Sequence, residues 1–138
     1  MASNAERLDA LYERFWHQGD WHAGNEIMAP DIEWSGMTED ATLGGTRYGP
    51  RAVNQFFAEW LEMWEAADVH WEITELTPDL LLVRSKLHAR GRGSGVDADA
   101  EIGQIWEFED GKAVRQSMYR QYEDARAAAE QMLGARER

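Results

Sequence analysis

Leu80 to Phe108 reads LLLVRSKLHARGRGSGVDADAEIGQIWEF, and this stretch decides the fold. It divides into two long alternating runs, Leu80 to Arg92 and Val96 to Phe108, on either side of the turn Gly93-Ser94-Gly95. Alternation with a period of two marks a strand covered on one face. If the runs pair across that turn, Arg92 faces Asp97, Arg90 faces Asp99 and His88 faces Glu101. Opposite charges or polar partners then stand side by side on one face. The same register sends Val83, Ser85, Leu87, Ile102, Gln104 and Trp106 to the other face. That set is mostly apolar, so it is the inner one. Gln104 is then a polar residue among apolar neighbours, and it needs partners or costs about 1–3 kcal/mol.

Working outward, Val69 to Leu76 reads as a further strand joined through the turn Pro78-Asp79. Downstream, Glu109-Asp110-Gly111-Lys112 is a tight hairpin turn into a last strand, Ala113 to Gln121. An alanine-rich helix from Tyr122 to Leu133 closes the chain, with Gly134 at its end. Upstream, Gly49-Pro50 opens a helix in which Val53, Phe56, Phe57, Trp60, Leu61 and Trp64 recur at helical spacing. So wide an aromatic strip must press against a sheet. Before it, Met37 to Tyr48 reads as a loop and Asp31 to Gly36 as a short strand with Ile32 and Trp34 on one face. The first helix spans Asn4 to Gln18, with Leu8, Leu11, Tyr12 and Phe15 in one stripe, and Gly19 ends it. Asp20 is expected to cap a second short helix, Trp21 to Met28, closed by Pro30.

The chain has 138 residues, which predicts a single domain, 1–138, with a real core. No run of about 18 apolar residues is present to span a membrane. The first residues lack the basic start and apolar core of a secretory signal. A soluble, cytoplasmic protein is therefore expected. Cysteine is absent, which excludes disulfides, thiolate catalysis and zinc–sulfur sites. The formal net charge of −12 disfavours nucleic acid and anionic membranes as partners. Seven tryptophans exceed the needs of a core this size and ask for a large aromatic surface, either a pocket wall or a subunit interface.

Element order and motifs together carry a resemblance. The motifs are Gly19-Asp20, Pro30-Asp31-Ile32-Glu33-Trp34, Tyr48-Gly49-Pro50-Arg51-Ala52-Val53 with Phe56-Phe57, and Trp106-x-Phe108-x-Asp110-Gly111-Lys112. Over nearly its whole length the chain resembles the SnoaL-like branch of the nuclear transport factor 2-like superfamily. That resemblance implies an α+β fold: a cone-shaped, curved antiparallel sheet packed on N-terminal helices and a long third helix. The family includes polyketide cyclases, ketosteroid isomerases, epoxide hydrolases and dehydratases, and members that only bind or oligomerise.

The resemblance also implies a pocket inside the cone, lined by Tyr12, Phe15, Trp16, Trp34, Phe57, Trp60, Trp64, Leu87, Gln104, Trp106 and Met118. Tyr12 sits where ketosteroid isomerases place an oxyanion-stabilising tyrosine. Gln104 sits where they carry a protonated aspartic acid, and its amide can donate as well. Those two are the candidate catalytic residues. Gly36 stands where the isomerases carry their carboxylate base. Arg84 and Lys86 fall where epoxide hydrolases use an arginine and an aspartate. The inward set of the last strand, Gln116, Met118 and Arg120, holds no carboxylate.

Of the loop residues Glu39, Asp40, Arg47 and Tyr48, a carboxylate could replace the lost base. His17 or His22 could act as a base at the pocket mouth. No metal site and no cofactor is expected, since the four histidines lack metal-ligand company. Two readings stand. One is a pocket for a small apolar or aromatic carbonyl-type ligand, working as an isomerase, cyclase or lyase through oxyanion stabilisation. The other is a non-catalytic dimeric binding or assembly module. The family resemblance implies a homodimer in either case.

Overall fold

The computed structural model describes residues 2–36 and 45–136. One six-stranded sheet organises them, in the order β2-β1-β6-β5-β4-β3. Its strands are β1 (Met28–Ser35), β2 (Thr46–Tyr48), β3 (Trp64–Thr77), β4 (Leu80–Gly91), β5 (Asp97–Glu109) and β6 (Lys112–Tyr119). The helices are α1 (Asn4–Tyr12), α2 (Pro50–Glu62) and α3 (Tyr122–Arg136). The expected curled sheet on helices is therefore present, with one difference: β1 runs parallel to β6, so the sheet is mixed.

The central hairpin keeps the expected faces but not the expected partners. Arg90 faces Asp97, His88 faces Asp99 and Lys86 faces Glu101, a slip of two residues from the sequence reading. A two-residue slip preserves parity, so Ser85, Gln104 and Trp106 are buried on the inner face as anticipated. The cause is Arg92. Its N–H bonds the Met63 carbonyl at 3.0 Å, and its guanidinium donates to the carbonyls of Glu62 and Trp64 at 3.1 Å each. Tied to the end of α2, Arg92 leaves the ladder, and Gly91 and Val96 close the loop instead.

The first helix begins with a capping box, in which Ser3 accepts from the Glu6 N–H and Glu6 accepts from the Ser3 N–H. After Tyr12 it widens into a π-helical turn, Glu13–His17, before Gly19 stops it at φ +71°. The anticipated second helix is only a 3₁₀ turn, Ala23–Glu26. Gly24 and Asn25 favour helix weakly, and Met28 is already paired with Ala113 in the sheet. Nor does Asp20 cap it: its carboxylate binds Arg14 at 2.7 Å. Trp64, placed by periodicity on the third helix, opens β3 instead, and β3 is correspondingly longer than the strand read from Val69. The hairpin at Asp110 and Gly111 is as expected, with both residues at positive φ.

Two apolar layers sit on opposite faces of the sheet. Inside, Leu8, Tyr12, Ile32, Trp34, Val53, Val83, Trp106 and Phe108 pack α1 and α2 onto the concave face. Outside, α3 lays Ala125 and Ala129 on Leu80, Leu82 and Ile105. Gly103 permits that approach, because a Cβ there would lie 2.4 Å from the Ala125 Cβ.

Candidate functional site

The concave face, α1, its π turn and α2 enclose a cavity of about 720 Å³. The sequence-derived pocket residues all border it: Tyr12 from α1, Phe15 and Trp16 from the π turn, Trp34 from β1, and Phe57 and Trp60 from α2. Trp64 comes from β3, Leu87 from β4, Gln104 and Trp106 from β5, and Met118 from β6. Edge-to-face contacts bind the rings into one wall. Trp34 meets Phe57 and Trp106 at 5.4 Å each, and Phe15 meets Phe57 at 4.9 Å.

A buried polar chain crosses this wall. The Tyr12 hydroxyl donates to Gln104 Oε1 at 2.5 Å and accepts from the Trp106 indole N–H at 3.2 Å. Ser85 Oγ donates to the same Gln104 oxygen at 3.4 Å. Gln104 Nε2 donates to Gln116 Oε1 at 2.9 Å, and Gln116 Nε2 donates to the Ser35 carbonyl at 3.2 Å. Tyr12 and Gln104, expected to donate jointly to a ligand, are thus bonded to each other here. Burial pushes the Tyr12 phenol well above its usual range, with the Trp106 hydrogen bond pulling against it. Tyr12 is therefore a protonated donor at neutral pH. Gln104 retains a second amide hydrogen beyond the one given to Gln116.

Carboxylates border the cavity only at Asp99 and Glu101 among the described residues, and both pair outside it. Asp99 Oδ1 lies 2.6 Å from His88 Nδ1, and Glu101 Oε1 lies 2.8 Å from Arg84 Nε. His17 does not line the cavity; its ring bridges Glu13 at 2.8 Å and the Val69 carbonyl at 3.1 Å. His22 is exposed and also outside the lining. Arg47 lies over the Phe56 ring at 4.5 Å, and Tyr48 is exposed. Glu39 and Asp40 lie outside the described residues. No group of three or more potential metal ligands occurs among the described residues.

Sequence reading missed three features of this site. Trp21 borders the mouth, 5.1 Å from Phe15, because the short turn after Gly19 folds it back. Ser85 and Gln116 were placed on the inner face but not joined to Gln104. Only strand register could have brought the three together. Two buried indole nitrogens, Trp34 Nε1 and Trp64 Nε1, have no hydrogen-bond partner among the described residues, and no sequence signal reports that.

A curled sheet holding an aromatic cavity between its concave face and two helices defines a nuclear transport factor 2-like protein. Within that class the chain belongs to the SnoaL-like domain family, whose profile matches residues 8–116. An NTF2-like protein of unknown function from Burkholderia pseudomallei superposes with a TM-score of 0.77 at 23% identity, covering 90% of this chain and 95% of that one. TerC co-crystallised with polyporic acid gives 0.74 at 23% identity, covering 94% and 99%. A protein with a ketosteroid isomerase-like fold from Catenulispora acidiphila, in complex with trimethylamine, gives 0.68 at 13% identity, covering 81% and 83%. Likeness at these identities carries the fold alone. No sequence among curated proteins matches the chain.

Proposed function

We propose that this chain binds a small, flat, apolar or aromatic ligand bearing an acceptor oxygen. Any reaction it performs is then of isomerase, cyclase or lyase type, resting on oxyanion stabilisation by Tyr12 and Gln104. The observation that carries this reading is the open cavity of about 720 Å³ behind a wall of aromatic rings. Cavities of this size hold drug-sized ligands. A module built only for assembly would be served as well by a cone filled with its own tryptophans, so the open volume favours the ligand reading.

The polar groups limit the chemistry. Tyr12 is protonated, and the Gln104 amide has a hydrogen to spare, so both can stabilise negative charge developing on a ligand oxygen. Reaching the ligand requires the Tyr12 hydroxyl to rotate away from Gln104. Among the described residues the inner face offers no carboxylate, so what these groups can supply is oxyanion stabilisation rather than proton abstraction. A cytoplasmic setting and a homodimer belong to the same reading.

Thermal unfolding and tryptophan fluorescence, measured with polyporic acid, steroids, aromatic polyketides and terpenoids, test the proposal. A binder at about 100 times its dissociation constant should add about 2.7 kcal/mol of stability, a rise of several degrees, and quench the cavity tryptophans. Neither shift nor quenching from any of these classes would overturn it.

A further inference from the structure

The buried polar chain has a direction, and one backbone atom sets it. A carbonyl oxygen can only accept, so the Ser35 carbonyl must receive an N–H from Gln116, whose Nε2 lies 3.2 Å away. The two polar ends of an amide point apart, so Gln116 turns its Oε1 to Gln104. Gln104 must answer with Nε2, which it does at 2.9 Å. Its own Oε1 is left to accept from Tyr12 and, over a longer bond, from Ser85. Tyr12 is thereby made a donor to Gln104, while its oxygen accepts from Trp106. Turning either amide over would set oxygen against oxygen, at residues only 0% and 6% exposed. Tyr12, Ser85 and Gln104 border the cavity, but Gln116 does not. It stands in the ladder between Trp34 on β1 and Trp106 on β5.

We propose that Gln116 is a positioning residue that sets the polarity of this site from outside it: by fixing the Gln104 amide, it keeps the Tyr12 proton engaged and yields it only to a ligand oxygen that accepts more strongly than a neutral amide. This rests on the small-molecule reading above and deepens it by naming how the site selects. A neutral ketone that takes the Tyr12 proton exchanges one neutral hydrogen bond for another and deprives Gln104 of its short bond, so it gains little. An oxygen that carries or develops negative charge gains more, because charge-assisted hydrogen bonds are about twice as strong. Interactions made only as charge develops are the ones that accelerate a reaction. Gln116 thus withholds the Tyr12 proton from a neutral ligand and reserves it for a charged oxygen, without touching either.

The test uses 2-acetonaphthone, a flat neutral aromatic ketone, and two substitutions. Gln116→Met removes both polar ends and lets the Gln104 amide turn over, so that its N–H groups face Tyr12 and the phenol proton is free for the ketone. Gln116→Glu is the rescue, since its carboxyl accepts from Gln104 whether protonated or ionised and so keeps the direction. In titrations followed by tryptophan fluorescence, Gln116→Met should bind the ketone about two- to tenfold more tightly than wild type, the worth of one neutral hydrogen bond. Gln116→Glu should bind it like wild type. A merely structural role for Gln116 gives the opposite sign, with the cavity loosened and the ketone bound more weakly. Should Gln116→Met not fold, ¹⁵N-labelled wild-type protein answers alone: the Gln104 side-chain amide hydrogens should show stronger nuclear Overhauser contacts to Gln116 than to Tyr12 and Ser85. Weaker or unchanged binding in Gln116→Met, equal effects of the two substitutions, or Gln104 amide hydrogens turned toward Tyr12 and Ser85 would each overturn the proposal and leave the pocket reading standing. If 2-acetonaphthone binds none of the three proteins, the proposal is overturned as well, and the pocket reading is decided by the ligand classes named above.

Discussion

At the scale of single residues, Tyr12 joins stability to the cavity. Among the described residues its oxygen is the only hydrogen-bond partner of the Trp106 indole N–H, and its proton shares Gln104 Oε1 with the longer bond from Ser85. Tyr12→Phe strands the buried indole N–H and leaves Gln104 Oε1 only the long Ser85 bond, so denaturant unfolding should show a loss of about 1–3 kcal/mol. A variant as stable as wild type would mean that water replaces the hydroxyl. His17 makes a different prediction. Hydrogen bonds to Glu13 and to the Val69 carbonyl raise its pKa above the ordinary 6.5, because only the doubly protonated ring donates to both. A raised folded-state value stabilises fully below about pH 6.5 and is lost as pH rises through it. The melting temperature of wild type relative to His17→Gln should fall as pH rises from about 6.5 through the raised pKa; an unchanged difference would remove His17 from the packing of the π turn on β3.

Residue identity on the inner face was legible because strand parity needs only alternation. Gln104, Trp106 and Leu87 could be placed without knowing the register. Which polar groups touch could not be read, since a two-residue slip keeps the faces and changes every partner. The unpaired indoles of Trp34 and Trp64 were beyond sequence for a related reason: an unmade hydrogen bond is a property of the packed neighbourhood.

At the scale of elements, boundaries went astray where two local signals competed. The helical spacing of Trp60 and Trp64 continues smoothly across the end of α2, yet Arg92 holds the Glu62 and Trp64 carbonyls and draws the chain into β3. Trp64 still reaches the cavity, from a strand rather than a helix. The seat of α3 depends on Gly103 in β5. A methyl there would meet the Ala125 Cβ at 2.4 Å and the Tyr122 Cα at 3.1 Å, and backbone cannot give way as a side-chain tip can. Gly103→Ala should therefore cost about 1–3 kcal/mol by overpacking and raise amide exchange along α3. Unchanged exchange would show that the helix repositions without strain.

At the scale of the whole molecule, the class of fold was legible from three facts: two long alternating runs, a hairpin between them, and one wide aromatic helix. The parallel placement of β1 was not, because it depends on contacts between the two ends of the chain. The sheet's outer face is divided between the apolar seat of α3 and an exposed charged strip of Lys86, His88, Arg90, Asp97 and Glu101. A homodimer using that strip would be polar and wet. Sedimentation at micromolar concentration should give twice the 15.8 kDa of one chain; a monomer would remove the dimer from the proposal.

Strand β6 is inserted between β1 and β5, which makes the timing of assembly uneven. The successive hairpins from β3 to β6 close over short turns. By contrast, Glu33 meets Arg115 across 82 residues of chain, and closing so long a loop is entropically slow. During synthesis β1 leaves the ribosome early and has no parallel neighbour until residues 112–119 follow. Throughout that interval the aromatic lining has only half its enclosure. A nascent chain of this protein thus carries a sticky, tryptophan-rich surface for most of its birth, and the cavity that serves the finished molecule is the hazard of the unfinished one.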